Sequence, residues 1–128
     1  MPLSRFLSIS MAAALLFSPT LASAHAKLVA STPAANVTVA KPGKIELKFN
    51  EKIIAKMAKA EIVMTGMPGM ADHAPMPITG FTAKMGPDGK SMTLQLKRAL
   101  TAGTYKVIWY AAGADTHRLS GNFTFKVK

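Results

Sequence analysis

Apolar and polar residues alternate with a period of two through most of the chain, and that alternation limits the fold more than any other feature. Ile45, Leu47 and Phe49 alternate with Lys44, Glu46 and Lys48, and Met92, Leu94 and Leu96 with Thr93, Gln95 and Lys97. Tyr105, Val107 and Trp109 share one face with Lys106 opposite, and Phe123, Phe125 and Val127 alternate with Thr124, Lys126 and Lys128. Successive side chains leave a strand on opposite faces, so each run marks a strand with one buried and one wet side. Further strands are expected at 27–30, 60–64 and 78–83. Pro42-Gly43, Gly86-Pro87-Asp88-Gly89, Ala102-Gly103 and Ser120-Gly121 supply the turn chemistry between them. No segment keeps a helical period over three turns; residues 53–60 are the one helical candidate. The expected fold is all-β, a Greek-key barrel or sandwich of about seven strands, with Trp109 anchoring the core.

The first 24 residues do not fit this pattern. Arg5 gives a positive start, residues 6–17 are apolar apart from two serines, Pro19 breaks the run, and Ala22-Ser23-Ala24 has small residues at the cleavage spacing. This reads as a secretory leader over 1–24, followed by one domain over 25–128 that begins at His25. The apolar run is too short to span a bilayer; an uncleaved anchor is the alternative. The expected location is the periplasm, with no membrane span left after cleavage.

Composition narrows the chemistry. The chain has no Cys, which excludes disulfides, thiolate zinc sites and iron–sulfur clusters. Its net charge is +10, or +9 without Arg5. The lysines are spread out, with no Arg-rich run and no aromatic-interleaved basic stripe, so nucleic acid is not the expected partner.

The chain has three histidines, at positions 25, 73 and 117. Cleavage after Ala24 would give His25 a free α-amine with a pKa near 7.7–8.0, low enough for a metal to displace its proton. The amine and the imidazole of one residue then chelate one ion. Asp115 and His117, two residues apart on an extended segment, are expected to face the same way. Nitrogens plus one carboxylate suit Cu(II). Glu51, just past the strand ending at Phe49, is a candidate to orient a ligand or cap this site.

Residues 64–76 read Met-Thr-Gly-Met-Pro-Gly-Met-Ala-Asp-His-Ala-Pro-Met. Gly66, Pro68, Gly69, Pro75 and Pro77 argue against regular structure here, so a flexible loop is expected. Exposed thioethers are costly without a partner. Met64, Met67, Met70 and Met76, with His73 nearby, are soft neutral ligands suited to Cu(I). An adaptable Met-rich protein-binding surface is the alternative.

These features resemble the CopC/PcoC copper-resistance family along the whole region 25–128. The resemblance rests on the His25-Ala-x-Leu start, Ser31-Thr-Pro, the Met64–Met76 loop, the Leu100-Thr-Ala-Gly-Thr-Tyr-Lys-Val-x-Trp109 strand, and Asp115-Thr-His-x-x-x-Gly-Asn-Phe-Thr-Phe125. It implies a periplasmic Greek-key β-domain, cupredoxin-like or Ig-like, without enzymatic activity. It implies Cu(II) on His25, Asp115 and His117, with Glu51 at a position that lies at this site in some members. It implies a separate Cu(I) site on Met64, Met67, Met70 and Met76 beside His73. As partners it implies a CopD/PcoD-like inner-membrane copper transporter or a multicopper oxidase. Arg118 departs from the family pattern, which often has Pro there. Two other readings compete: a histidine-brace copper monooxygenase, and an Ig-like module that binds no metal.

Overall fold

The computed structural model describes residues 25–128; the expected leader, 1–24, lies outside the described residues. Among the described residues nine strands run in chain order: β1 Leu28–Thr32, β2 Thr38–Val39, β3 Lys44–Phe49, β4 Lys59–Gly66, β5 Met76–Ile78, β6 Phe81–Met85, β7 Ser91–Leu96, β8 Gly103–Ala112 and β9 Arg118–Val127. They form two sheets, one ordered β1-β3-β7-β6 and the other β2-β9-β8-β4-β5. The result is an open sandwich rather than a closed barrel. The two strands beyond the expected seven or so are the short ones, β2 and β5, which hold only two and three residues.

The alternating runs behave as their period requires. Ile45, Leu47 and Phe49 on β3, and Met92, Leu94 and Leu96 on β7, pack from one sheet. Ala60, Ile62 and Met64 on β4, Tyr105, Val107 and Trp109 on β8, and Phe123, Phe125 and Val127 on β9 pack from the other. Fully burying each large apolar side chain contributes about 1.5–3 kcal/mol before entropy is counted. Phe49 and Trp109 meet edge to face at 5.3 Å across the core, and Tyr105 stacks on its cross-strand partner Phe125 at 5.8 Å within one sheet. The buried Tyr105 hydroxyl donates to the Thr101 carbonyl at 2.7 Å, which satisfies it and fixes the turn into β8.

Several expectations are corrected. The strand expected at 78–83 is two strands, because the chain leaves one sheet at Ile78 and enters the other at Phe81. The helical candidate at 53–60 yields only a single 3-10 turn at Ala55–Met57. Its amides are committed elsewhere: Ile53 N donates to Gly89 O at 2.9 Å and Ile54 N to Ala112 O at 2.8 Å. Ser120-Gly121 is not a turn but lies inside β9. Gly121 pairs with Trp109 on β8, and a Cβ there would fall 2.7 Å from Cε2 and 2.9 Å from Nε1 of the indole. Glycine is required at that position so that the backbone can approach the Trp109 ring.

Candidate metal centre

Three of the expected ligands come together at one end of the sandwich. His25, Asp115 and His117 each offer a ligand atom, and these atoms lie within 4.8 Å of one another. Asp115 Oδ2 is 3.0 Å from His25 Nδ1 and 3.4 Å from His117 Nδ1. The two imidazole rings lie 5.5 Å apart, tilted by 36°. Both rings are exposed enough for an ion to arrive from solvent, while the carboxylate between them is largely covered.

Asp115 and His117 converge, but not along an extended segment as their spacing suggested. Thr116 has φ +62°, its amide donates to Gly113 O at 2.9 Å, and His117 N donates to Asp115 Oδ1 at 3.2 Å. The segment is a tight turn, and a left-handed β-branched residue sits at its centre. That conformation is costly for Thr and is held by the surrounding structure. The turn caps the long β8–β9 hairpin, whose ladder begins at Ala112 opposite Arg118.

His25 is brought to this turn by a residue that the sequence pattern did not single out. Asn50, at the end of β3, donates from Nδ2 to the His25 carbonyl at 3.3 Å. Its Oδ1 accepts from Lys27 N at 2.8 Å, and its own amide donates to Lys27 O at 3.0 Å. One amide side chain thus ties residues 25–27 to the rim. A lone Asn after a strand carries no sequence signal for this; only the register of β1 on β3 puts the two segments side by side.

Glu51 follows Asn50 but is not among the three gathered residues. Its Oε1 is buried and has no hydrogen-bond partner among the described residues. An orphaned carboxylate oxygen is costly in the absence of a cation or donor.

The methionines lie toward the opposite end of β8, whose Thr104 pairs with Gly66 while Ala112 pairs with Arg118. At the rise of a strand, that separates the two ends by on the order of 25 Å. The methionine segment is more regular than the flexible loop expected. Met64 is a strand residue, 8% exposed, and Met76 sits directly opposite it on β5. Opposed residues of an antiparallel pair leave the sheet on the same face. Pro77 is tolerated because β5 is an edge strand. Between them, Met67-Pro68-Gly69-Met70 closes a turn with Pro second and Gly69 third at φ +82°, the type II pattern. Met67 and Met70 exchange both backbone hydrogen bonds at 2.9 Å. Met70 and Met76 are about half exposed, and Met67 is partly buried against the core.

His73 is tucked back by its amide, which donates to Thr65 O at 3.0 Å. Its Nδ1 lies 2.7 Å from Ala74 O, so that nitrogen is the N–H donor. Nε2 is buried without a partner among the described residues.

A two-sheet β-sandwich with a His–Asp–His cluster at one end and a methionine-bearing turn at the other defines a class: small β-domains with candidate metal ligands outside the core. More specifically, the chain belongs to the CopC family, with residues 28–128 matching the CopC domain. It is 45% identical over 128 residues to Copper resistance protein C of Pseudomonas syringae pv. tomato, covering all of both chains. It is 47% identical over 107 residues to Copper resistance protein C of Escherichia coli, covering 84% of each. Among solved structures, PcoC, a methionine rich copper resistance protein from Escherichia coli, matches with a TM-score of 0.74 at 44% identity, covering 82% of this chain and 100% of that one. Among the described residues, no helix is long and apolar enough to cross a membrane.

Proposed function

We propose that this protein is an exported copper carrier of copper resistance or homeostasis, with a Cu(II) site on His25, Asp115 and His117 and a Cu(I) site on the methionine segment. The observation that carries the reading is the convergence of His25, Asp115 and His117, from the two ends of residues 25–128, with ligand atoms within 4.8 Å. Relatives at 45% and 47% identity that are named copper resistance proteins support the choice of metal.

Copper is cargo here, and the chain's own groups determine how it is held. Removal of residues 1–24 converts the His25 amide into an amine, which adds a nitrogen beside the imidazole. Nδ1 is the ring nitrogen nearer the backbone, so amine and Nδ1 close a small chelate ring. Asp115 offers Oδ2 within reach of both rings. Three nitrogens and an oxygen form the set Cu(II) prefers. The unpartnered Oε1 of Glu51 is the candidate outer carboxylate of that site. At the other end, Met67 and Met70 flank one turn, Met64 and Met76 face each other across β4 and β5, and His73 has an unpartnered Nε2. Thioethers bind Cu(I) without losing a proton and release it more readily than thiolates do, which suits delivery in an oxidising compartment.

The protein acts in the periplasm without turnover of its own and passes copper to a CopD/PcoD-like transporter or to a multicopper oxidase. The position of Asp115 between the two histidines argues against a histidine-brace oxygenase, which needs that coordination position open.

Mass spectrometry of the exported protein and competitive titration with each oxidation state test the proposal. The expected result is a mature chain that starts at His25 and binds one Cu(II) and one Cu(I) independently. An added residue before His25 should cut Cu(II) affinity sharply and spare Cu(I). Equal Cu(II) binding by the extended form refutes the chelate, and processed protein that takes up neither ion refutes the function.

A further inference from the structure

The copper reading leaves unused a basic groove beside the His–Asp–His cluster. Its cavity of about 480 Å³ is lined by Lys56, Met57, Ala58, Lys59, Tyr110 and Arg118. It lies on the outer face of the five-stranded sheet. Trp109 points into the core, so its neighbour Tyr110 points out, and Lys59 pairs with Tyr110 in register. Lys59 Nζ stands 5.8 Å from the centre of the Tyr110 ring. Arg118 starts β9 opposite Ala112 and is bonded directly to the ligand His117.

The three cations come from three elements: the 3-10 turn, β4 and β9. Glu61 borders them, with its Oε1 3.4 Å from Lys59 Nζ. Lys106 and Lys126 extend the positive charge along the same face. Met57, Ala58 and Tyr110 add apolar surface to the lining. Three cations carried by three elements, with apolar side chains among them, offer several contacts rather than one. They match an extended segment that carries several carboxylates with an apolar side chain among them. Opposite charge across an interface raises the association rate and fixes register.

We infer that this groove docks an acidic segment of a protein partner and holds it beside the cluster where copper is exchanged. The purpose rests on the proposed copper function; the docking itself requires no metal.

The test uses metal-free protein comprising residues 25–128 and a short synthetic peptide of glutamates around one leucine, followed by backbone amide NMR. Saturable shifts confined to the groove are expected. Lys56→Gln, Lys59→Gln and Arg118→Gln together should weaken the peptide on the order of tenfold, the sum of three exposed ion pairs. Lys48→Gln, Lys84→Gln and Lys97→Gln, on or just past strands of the other sheet, together should leave it unchanged. Equal weakening by both triple variants overturns the proposal and leaves only diffuse charge attraction. Binding to anionic phospholipid vesicles without binding to the peptide also overturns it and assigns the face to a membrane surface. Cu(II) titration of the same proteins keeps the two readings apart. Peptide binding by a protein that takes no copper supports the docking surface and sinks the copper site instead.

Discussion

Asp115 Oδ2 lies 3.0 Å from Nδ1 of His25, although the two residues come from opposite ends of the described chain. The contact exists because Asn50 clamps residues 25–27 to the end of β3 while a left-handed Thr116 turns Asp115 back toward the same rim. Neither support is a candidate ligand, yet both decide whether the candidate ligands meet.

Asn50 is therefore a positioning residue. Asn50→Ala should weaken Cu(II) by about 10–100-fold, the usual cost of losing a group that orients a ligand. Cu(I) affinity should not change, because the methionine segment lies at the other end of β8. Competition against a chromophoric chelator in each oxidation state measures both. Unchanged Cu(II) affinity would remove Asn50 from the site.

Of the four candidate methionine ligands, Met67 and Met70 sit on the turn, Met76 on the edge strand β5, and Met64 in the core. Met67→Leu with Met70→Leu should abolish tight Cu(I) binding and leave Cu(II) intact. Met64→Leu alone tests the buried thioether, since a volume-conserving swap costs less than about 1.5 kcal/mol of stability. If the turn variant keeps full Cu(I) affinity, the metal is held elsewhere.

Gly121→Ala should destabilise the fold by about 1–3 kcal/mol, because the added Cβ overlaps the Trp109 indole. Urea unfolding followed by the fluorescence of the single Trp reads it directly. Wild-type stability in that variant would mean the indole moves aside without strain.

Asp88 ties the β6–β7 hairpin. Its Oδ1 accepts from Lys90 N at 2.9 Å and Ser91 Oγ at 3.0 Å, and these bonds, the Lys90 amide first, hold its carboxyl below the usual value. A carboxylate with a lowered folded pKa stabilises above its unfolded pKa and loses that contribution as pH falls through the folded value. Asp88→Asn should lower the melting temperature at neutral pH, and the gap from wild type should close in strong acid. A gap that persists there would show that charge is not what the turn uses.

The alternating runs at 45–49, 92–96, 105–109 and 123–127 announced their strands and their buried faces, because which face of a strand is apolar is a local property. The methionine segment was legible as chemistry but not as structure. Its prolines and glycines argued for a loose loop, whereas Met64 and Met76 lie on paired strands and only Met67–Met70 makes the turn. Prolines are compatible with a sheet edge, and nothing local says which strand will be one. Gly121 and Ser120 looked like a turn for the same reason: the indole that requires a glycine there stands on another strand.

By itself the sequence determined the all-β class, the inward-facing rows and the types of ligand atom available, since side-chain period and ligand softness are properties of the residues in order. Only the tertiary structure decided which of those atoms meet. Strand pairing brings together residues far apart in the chain, and it placed His25 against Asp115 while leaving Glu51 outside the gathered three. It also made Asn50 the clamp and set three cations beside His117. These are relations between separate strands, fixed by register and twist, and they follow from the packing of the whole core.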